Sequence, residues 1–172
     1  MWAFRESGDS SFYNICVNHS DTTIKNHFRP DFSSYHVVSY DTATGKVEVK
    51  QTHQGYSDDS AWSRGQAWGL YGYTVMYRET GLQRYLDQAV HIADFMINHP
   101  DMPEDMIPYW DFNAPEIPDA KRDASAGSVM ASALVELSGM VDSAAGARYL
   151  QVAEKQLRSL SSPAYLAKPG DN

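Results

Sequence analysis

The sequence predicts an all-α domain of stacked helix pairs, a helical toroid or solenoid, with one small β-hairpin set into it. The first observation behind this is a weak repeat. Glu6-Ser7-Gly8 precedes Phe12-Tyr13, Glu79-Thr80-Gly81 precedes Tyr85-Leu86 and Ala89, and Gly146 precedes Tyr149-Leu150 and Ala153. Each copy sets a helix-ending glycine before an aromatic residue that enters the next helix, at intervals of roughly 70 residues, as α-hairpins separated by insertions require. The second observation is apolar spacing of three and four through the long segments. The third is a single stretch that alternates around a glycine-bearing turn, as paired strands do.

Taken in order, Met1-Trp2-Ala3-Phe4-Arg5-Glu6 has no charged leader before an apolar run and reads as the last turns of a helix. From Tyr35 to Thr52, Val37-Val38-Ser39-Tyr40 and Lys46-Val47-Glu48-Val49-Lys50 flank Asp41 to Gly45, which predicts the hairpin. The segment His53 to Trp68 is expected to open a helix. Trp68, Tyr71, Val75 and Met76 extend it as one amphipathic helix over Ala61 to Glu79, ended by Gly81. Tyr85 to Asn98, with Leu86, Ala89, Val90, Ala93 and Ile97, is the antiparallel return. A further pair spans about Ala124 to Met140 and Ala147 to Leu160. Between these pairs, Pro100, Pro103, Pro108, Pro115 and Pro118 accompany Tyr109-Trp110-Asp111-Phe112 in a segment too long for a featureless loop, which predicts an ordered loop over one mouth of the helical ring.

A chain of 172 residues that is 42% hydrophobic suits one packed core, so residues 1–172 are one domain or a piece of one. The formal charge of -8 argues against a nucleic-acid groove, which needs a positive surface. Cys16 is the only cysteine, which excludes an intrachain disulfide and a thiolate metal site. No apolar run reaches the roughly 18 residues of a membrane helix, so no membrane partner is expected. The histidines lack metal-binding spacing, and neither a nucleophile elbow nor a phosphate loop is present. No metal or cofactor is expected.

The chemistry is concentrated in His53 to Trp68, where acids, amides, one arginine and two indoles occur together. Indole faces suit the C–H faces of a pyranose, and Arg and Gln give directional bonds to hydroxyl and carboxylate groups. Asp58 and Asp59 are read as caps and favourable charge at the helix start, since adjacent residues rarely aim two carboxylates at one atom. Arg64 and Trp68 stand one helical turn apart, on one face. That face is either an exposed arginine beside a core tryptophan or a ligand site to which Gln66 adds a polar group. Asp123 is read as an N-cap, and Asp111 as a brace for its loop.

Arg29-Pro30-Asp31-Phe32-Ser33-Ser34-Tyr35-His36, then Thr52 through Trp68, then Tyr109-Trp110-Asp111-Phe112 and Arg122-Asp123-Ala124-Ser125-Ala126 resemble the unsaturated glucuronyl hydrolases of glycoside hydrolase family 88. The resemblance runs through nearly the whole chain. It implies a barrel of six α-hairpins, (α/α)6, of which about three are present here, with the β-hairpin near 35–52 as an insertion. It further implies removal of the 4,5-unsaturated uronic acid that lyases leave at the non-reducing end of oligosaccharides, by hydration of the sugar's vinyl ether. An aspartic acid protonates C4, water adds at C5, and the hemiketal rearranges to release the aglycone.

Residue by residue, the resemblance places the family's pocket histidine at His36, its water-orienting glutamine at Gln54, its sugar-contacting arginine at Arg64 and its stacking tryptophan at Trp68, with Thr52 as a further ligand contact. The implied partner is an unsaturated uronic-acid oligosaccharide, and the implied location is the cytoplasm or periplasm of a bacterium. Family members are roughly twice this length. Their catalytic aspartates precede the stretch equivalent to Met1, one of them in an Asp-x-Met-x-Asn segment, so no catalytic residue is assigned here and the isolated chain is expected to have little or no activity. Two other readings stand beside this one: a fragment of an unsaturated rhamnogalacturonyl hydrolase, and a non-catalytic helical carbohydrate-binding module.

Overall fold

A computed structural model describes residues 1–167 and Gly170. Residues 168, 169, 171 and 172 lie outside the described residues. Among those described, the order is α1 (Trp2–Ser7), α2 (Ser10–His27), β1 (Val37–Tyr40), β2 (Val47–Gln51), α3 (Ser63–Thr80), α4 (Gln83–Asn98), α5 (Ala124–Ser138) and α6 (Ser143–Leu160). These form three successive helix pairs with a two-stranded antiparallel sheet between the first and second. No described helix is long and apolar enough to cross a membrane.

Local chemistry sets most boundaries. Gly8 and Gly81 both take the left-handed conformation and donate their N–H back to Phe4 O and Tyr77 O, which ends α1 and α3 as the repeat predicted. Asp9, Asp123 and Asp142 cap α2, α5 and α6 by accepting from N–H groups of the first turn. The third copy of the repeat needs correction. Gly146 does not end a helix; it lies in the first turn of α6, where a Cβ would collide with the Ser138 carbonyl. Its smallness serves the close approach of α6 to the end of α5, which stops at Gly139 in ordinary right-handed geometry.

The core lies where α3 packs on α4 and α5, and α5 on α6. Leu70 and Tyr73 of α3, Tyr85, Ile92 and Met96 of α4, and Met130, Leu134 and Leu137 of α5 are buried together, with Tyr149 of α6 closing the cluster. Alanines at Ala89, Ala93, Ala126 and Ala133 let the helix axes approach. The first pair is tied on differently. α1 buries no residue and α2 only Ser20. Tyr73 donates to the Ser20 carbonyl at 3.0 Å, and Asp21 accepts from Arg84 at 2.8 Å and from Tyr85 at 2.9 Å.

In the hairpin, Val37 pairs with Gln51 and Val38 with Lys50, with a bulge at Ser39/Tyr40. The turn is closed by Gly45 in the left-handed region and by Asp41, whose carboxylate accepts from the Thr44 N–H and hydroxyl at 2.6 Å each. The proline-rich segment is an ordered loop. Trp62 pairs with Asp111 and Tyr109 with Arg122 in short antiparallel bridges, which carry it across the start of α3.

Candidate functional site

Three loops converge at the N-terminal end of α3: residues 28–36, 52–62 and 109–123. Arg29 binds the first to the second, donating to Ser33 Oγ and the Ser34 carbonyl on one side and to the carbonyls of Asp58 and Ser60 on the other. Gln66, one turn into α3, is fully buried. Its Nε2 donates to Phe32 O, and its Oε1 accepts from the N–H and hydroxyl of Ser34. Gln66 is therefore a framework residue and not part of a ligand face. Fixing Phe32, which has a positive φ of 66°, is the work of that amide.

Asp111 joins the second loop to the third. Its buried carboxylate accepts from the Tyr56 N–H at 2.9 Å, the Ser60 hydroxyl at 2.7 Å and the Asn113 N–H at 2.9 Å. The bracing role expected of it is what its contacts provide. Gly55 lies so close that a Cβ would stand 2.6 Å from Thr52 Oγ1 and 3.0 Å from Asp111 Oδ2. The loop can fold over this carboxylate only with glycine there.

Asp58 and Asp59 do not cap the helix. α3 begins at Ser63 behind Trp62, which supplies no side-chain cap. Asp58 instead accepts from the Thr52 N–H at 2.8 Å, and Asp59 is exposed. The bridge between Trp62 and Asp111 holds Ala61 and Trp62 extended, so the helix starts two residues later than the apolar spacing suggests.

On this frame His36, Trp62, Arg64 and Asp123 form a row. The His36 ring packs tilted against Trp62 with centroids 4.4 Å apart. The Arg64 guanidinium lies 5.5 Å from the same indole centroid. Gly65 makes room for this, since a Cβ there would come within 2.9 Å of Trp62 Cε3. Arg64 donates through Nε at 3.1 Å and Nη2 at 2.9 Å to Asp123 Oδ2, while Asp123 Oδ1 accepts from Ala126 N–H to cap α5. Asp123 therefore has a second task beyond capping. The arginine side chain remains 40% exposed, with Nη1 unpartnered among the described residues, at a cleft of about 380 Å³ lined by Arg64, Trp110, Lys121, Arg122, Asp123 and Ser125.

The remaining expected residues divide between this row and the next turn of α3. Thr52 Oγ1 accepts from Gly55 N–H at 2.8 Å. Gln54 contributes its backbone N–H to His36, leaving its exposed side chain free of protein bonds among the described residues. Trp68 is 54% exposed and thus not a core residue. It meets Tyr71 edge-on at 5.8 Å and faces Ser128, Val129 and Ser132 of α5 across a separate depression. Burial and the neighbouring His53 lower the pKa of His36 below its usual 6.5. Sequence reasoning missed Trp62 and the Arg64–Asp123 pair; the only local signal was the Trp62-x-Arg64-Gly65 run, in which glycine beside two large side chains marks a close approach.

No family model matches the chain. It is 49% identical over 166 residues to an unsaturated glucuronyl hydrolase of Formosa agariphila, a match covering 96% of this chain and 41% of that protein. It superposes on the crystal structure of an unsaturated glucuronyl hydrolase specific for heparin with a TM-score of 0.94 and 51% identity, covering 99% of this chain and 45% of the other. On the glycosaminoglycan-degrading unsaturated glucuronyl hydrolase of Bacillus sp. GL1 the TM-score is 0.87 at 33% identity, with 92% of this chain and 42% of the other covered. The chain thus spans less than half the length of the proteins it matches. Along nearly all of its own length it is homologous to the unsaturated glucuronyl hydrolases, and its helix pairs match part of their (α/α)6 barrel.

Proposed function

We propose that this chain supplies one wall of the substrate site of an unsaturated glucuronyl hydrolase, a glycoside hydrolase that hydrates the 4,5-unsaturated uronic acid ending a lyase-generated glycosaminoglycan oligosaccharide. The observation that carries the reading is the Arg64 guanidinium, fixed by Asp123 and Trp62 with one edge open at a cleft. A held guanidinium presents two N–H groups in the geometry of a carboxylate or sulfate, and its orientation costs no entropy on binding. Trp68, one turn on, offers an exposed ring for a sugar face, and Gln54 a neutral amide able to hold a water without titrating.

Hydration of the vinyl ether needs a proton donated to C4 and water added at C5. Three carboxylates of this wall are already engaged, Asp111 by three donors, Asp123 by Ala126 and Arg64, and Asp58 by the Thr52 N–H, while Asp59 is exposed with no bond holding it toward a ligand among the described residues. We therefore assign binding and water orientation to residues 1–172 and the proton donor to none of them. General acid catalysis contributes typically about 10²- to 10⁴-fold, so the isolated chain should bind without appreciable turnover.

A titration of the chain with an unsaturated chondroitin or heparin disaccharide, followed by NMR at the Arg64 Nε–H and the tryptophan indole N–H signals, tests this. Saturable shifts at Arg64 and Trp68 are expected in wild type, and the Trp68 shift should vanish in Arg64→Ala. Equal Trp68 shifts in wild type and Arg64→Ala would remove the arginine from the site.

A further inference from the structure

Immediately before β1, the His36 ring faces the chain leaving β2. The hairpin ladder stops at Val37 and Gln51; the Thr52 N–H goes to the Asp58 carboxylate, and no backbone carbonyl receives the N–H groups of His53 and Gln54. His36 receives them: its Nδ1 accepts from His53 N–H at 3.1 Å and from Gln54 N–H at 3.0 Å. One imidazole lone pair thus closes the base of the hairpin and sets the place of Gln54.

We propose that His36 is a positioning residue, a latch that fixes the His53–Gln54 backbone through a neutral Nδ1 acceptor. This deepens the sugar-binding reading above and rests on it where the sugar is concerned. Two consequences follow from the geometry. An Nδ1 that accepts two N–H donors carries no proton, so the ring is the Nε2–H tautomer, and toward a ligand it acts only as a donor. A protonated Nδ1 would point an N–H at two others, so protonation opens the latch and releases Gln54.

The surroundings agree with a neutral ring. Trp62 packs against the ring, the Arg64 guanidinium lies 5.5 Å from the Trp62 centroid, and His53 lies at 6.3 Å. Lys50 of β2 lies 4.4 Å over the adjacent Tyr35, with the Arg29 guanidinium 3.8 Å from the same ring. Of the two acids in this loop, Asp58 is engaged by the Thr52 N–H and Asp59 is exposed. Burial and the facing His53 both disfavour an imidazolium.

Amide hydrogen exchange on the 172-residue chain tests the latch without reference to activity. In wild type, the protection factors of the His53 and Gln54 amides, corrected for intrinsic exchange, should fall together as pH drops through a midpoint below 6.5. In His36→Ala they should fall about tenfold at neutral pH, the loss expected for one hydrogen bond. In His36→Asn, whose Oδ1 stands near the place of Nδ1, they should recover, and disaccharide binding should recover with them. Protection that is unchanged in His36→Ala, or that ignores pH in wild type, overturns the latch. If the amides respond as stated but wild type binds no disaccharide, the latch stands and the sugar-binding reading falls.

Discussion

Asp111 shows how one side chain decides the shape of a site it does not enter. Its buried carboxylate accepts from Tyr56 N–H, Ser60 Oγ and Asn113 N–H, the Ser60 bond fully buried and the other two partly so. Asp111→Ala leaves these donors without a partner and should cost on the order of 3 kcal/mol, with Asp111→Asn costing less because it keeps an acceptor. Urea unfolding of the two variants checks the order; equal midpoints would contradict it. The histidines give a second prediction at this scale. Burial is the largest cause lowering the pKa of His27, His36 and His99, so the folded state binds fewer protons than the unfolded chain. Their contribution is complete above 6.5, the unfolded value, and is lost as pH falls through the lower folded values. The paired aspartates Asp21 and Asp105 are lowered from 3.8 and act only in stronger acid. The urea midpoint should therefore decline between pH 7.5 and 5; an unchanged midpoint would show that the buried histidines are not linked to folding.

At the scale of elements, what the sequence reveals depends on how local its causes are. Helices ended by Gly8 and Gly81, or started by Asp9 and Asp123, carry their signal within one turn, and the hairpin carries its own turn chemistry at Asp41 and Gly45. The start of α3 does not. It is set by pairing of Trp62 with Asp111, far along the chain, so Asp58 and Asp59 resemble caps by sequence and are loop residues in fact. Gly146 misleads in the same way, because its requirement comes from α5 and not from its own helix. The site follows the same rule. Arg64 and Trp68 stand out by composition, whereas the Arg64 partner, Asp123, is a remote residue visible beforehand only as a cap. Since Asp123 serves both ends, Asp123→Ala should cost about 1 kcal/mol through the lost cap of α5 and also weaken disaccharide binding by freeing Arg64. Asp123→Ser, which restores a cap but no charge, should recover stability without recovering affinity; recovery of both would dissolve the link.

For the molecule as a whole, the second and third helix pairs share a buried core, while the first presents Trp2, Phe12 and Ile15 to solvent. Trp68 and Val135 are also exposed, 54% and 47%. Exposed apolar surface on this scale binds hydrophobic dyes and promotes association. The chain should enhance the fluorescence of such a dye under native conditions, more weakly in Trp2→Ser/Ile15→Ser; a native chain that binds no dye would contradict this.

The central claim is that Arg64, held by Asp123 and Trp62, is the anchor for an unsaturated uronate. Calorimetric titration of the chain with a 4,5-unsaturated chondroitin disaccharide tests it most directly. Saturable binding is expected in wild type and its loss in Arg64→Ala; binding of equal strength in the two proteins would show that Arg64 is not the anchor.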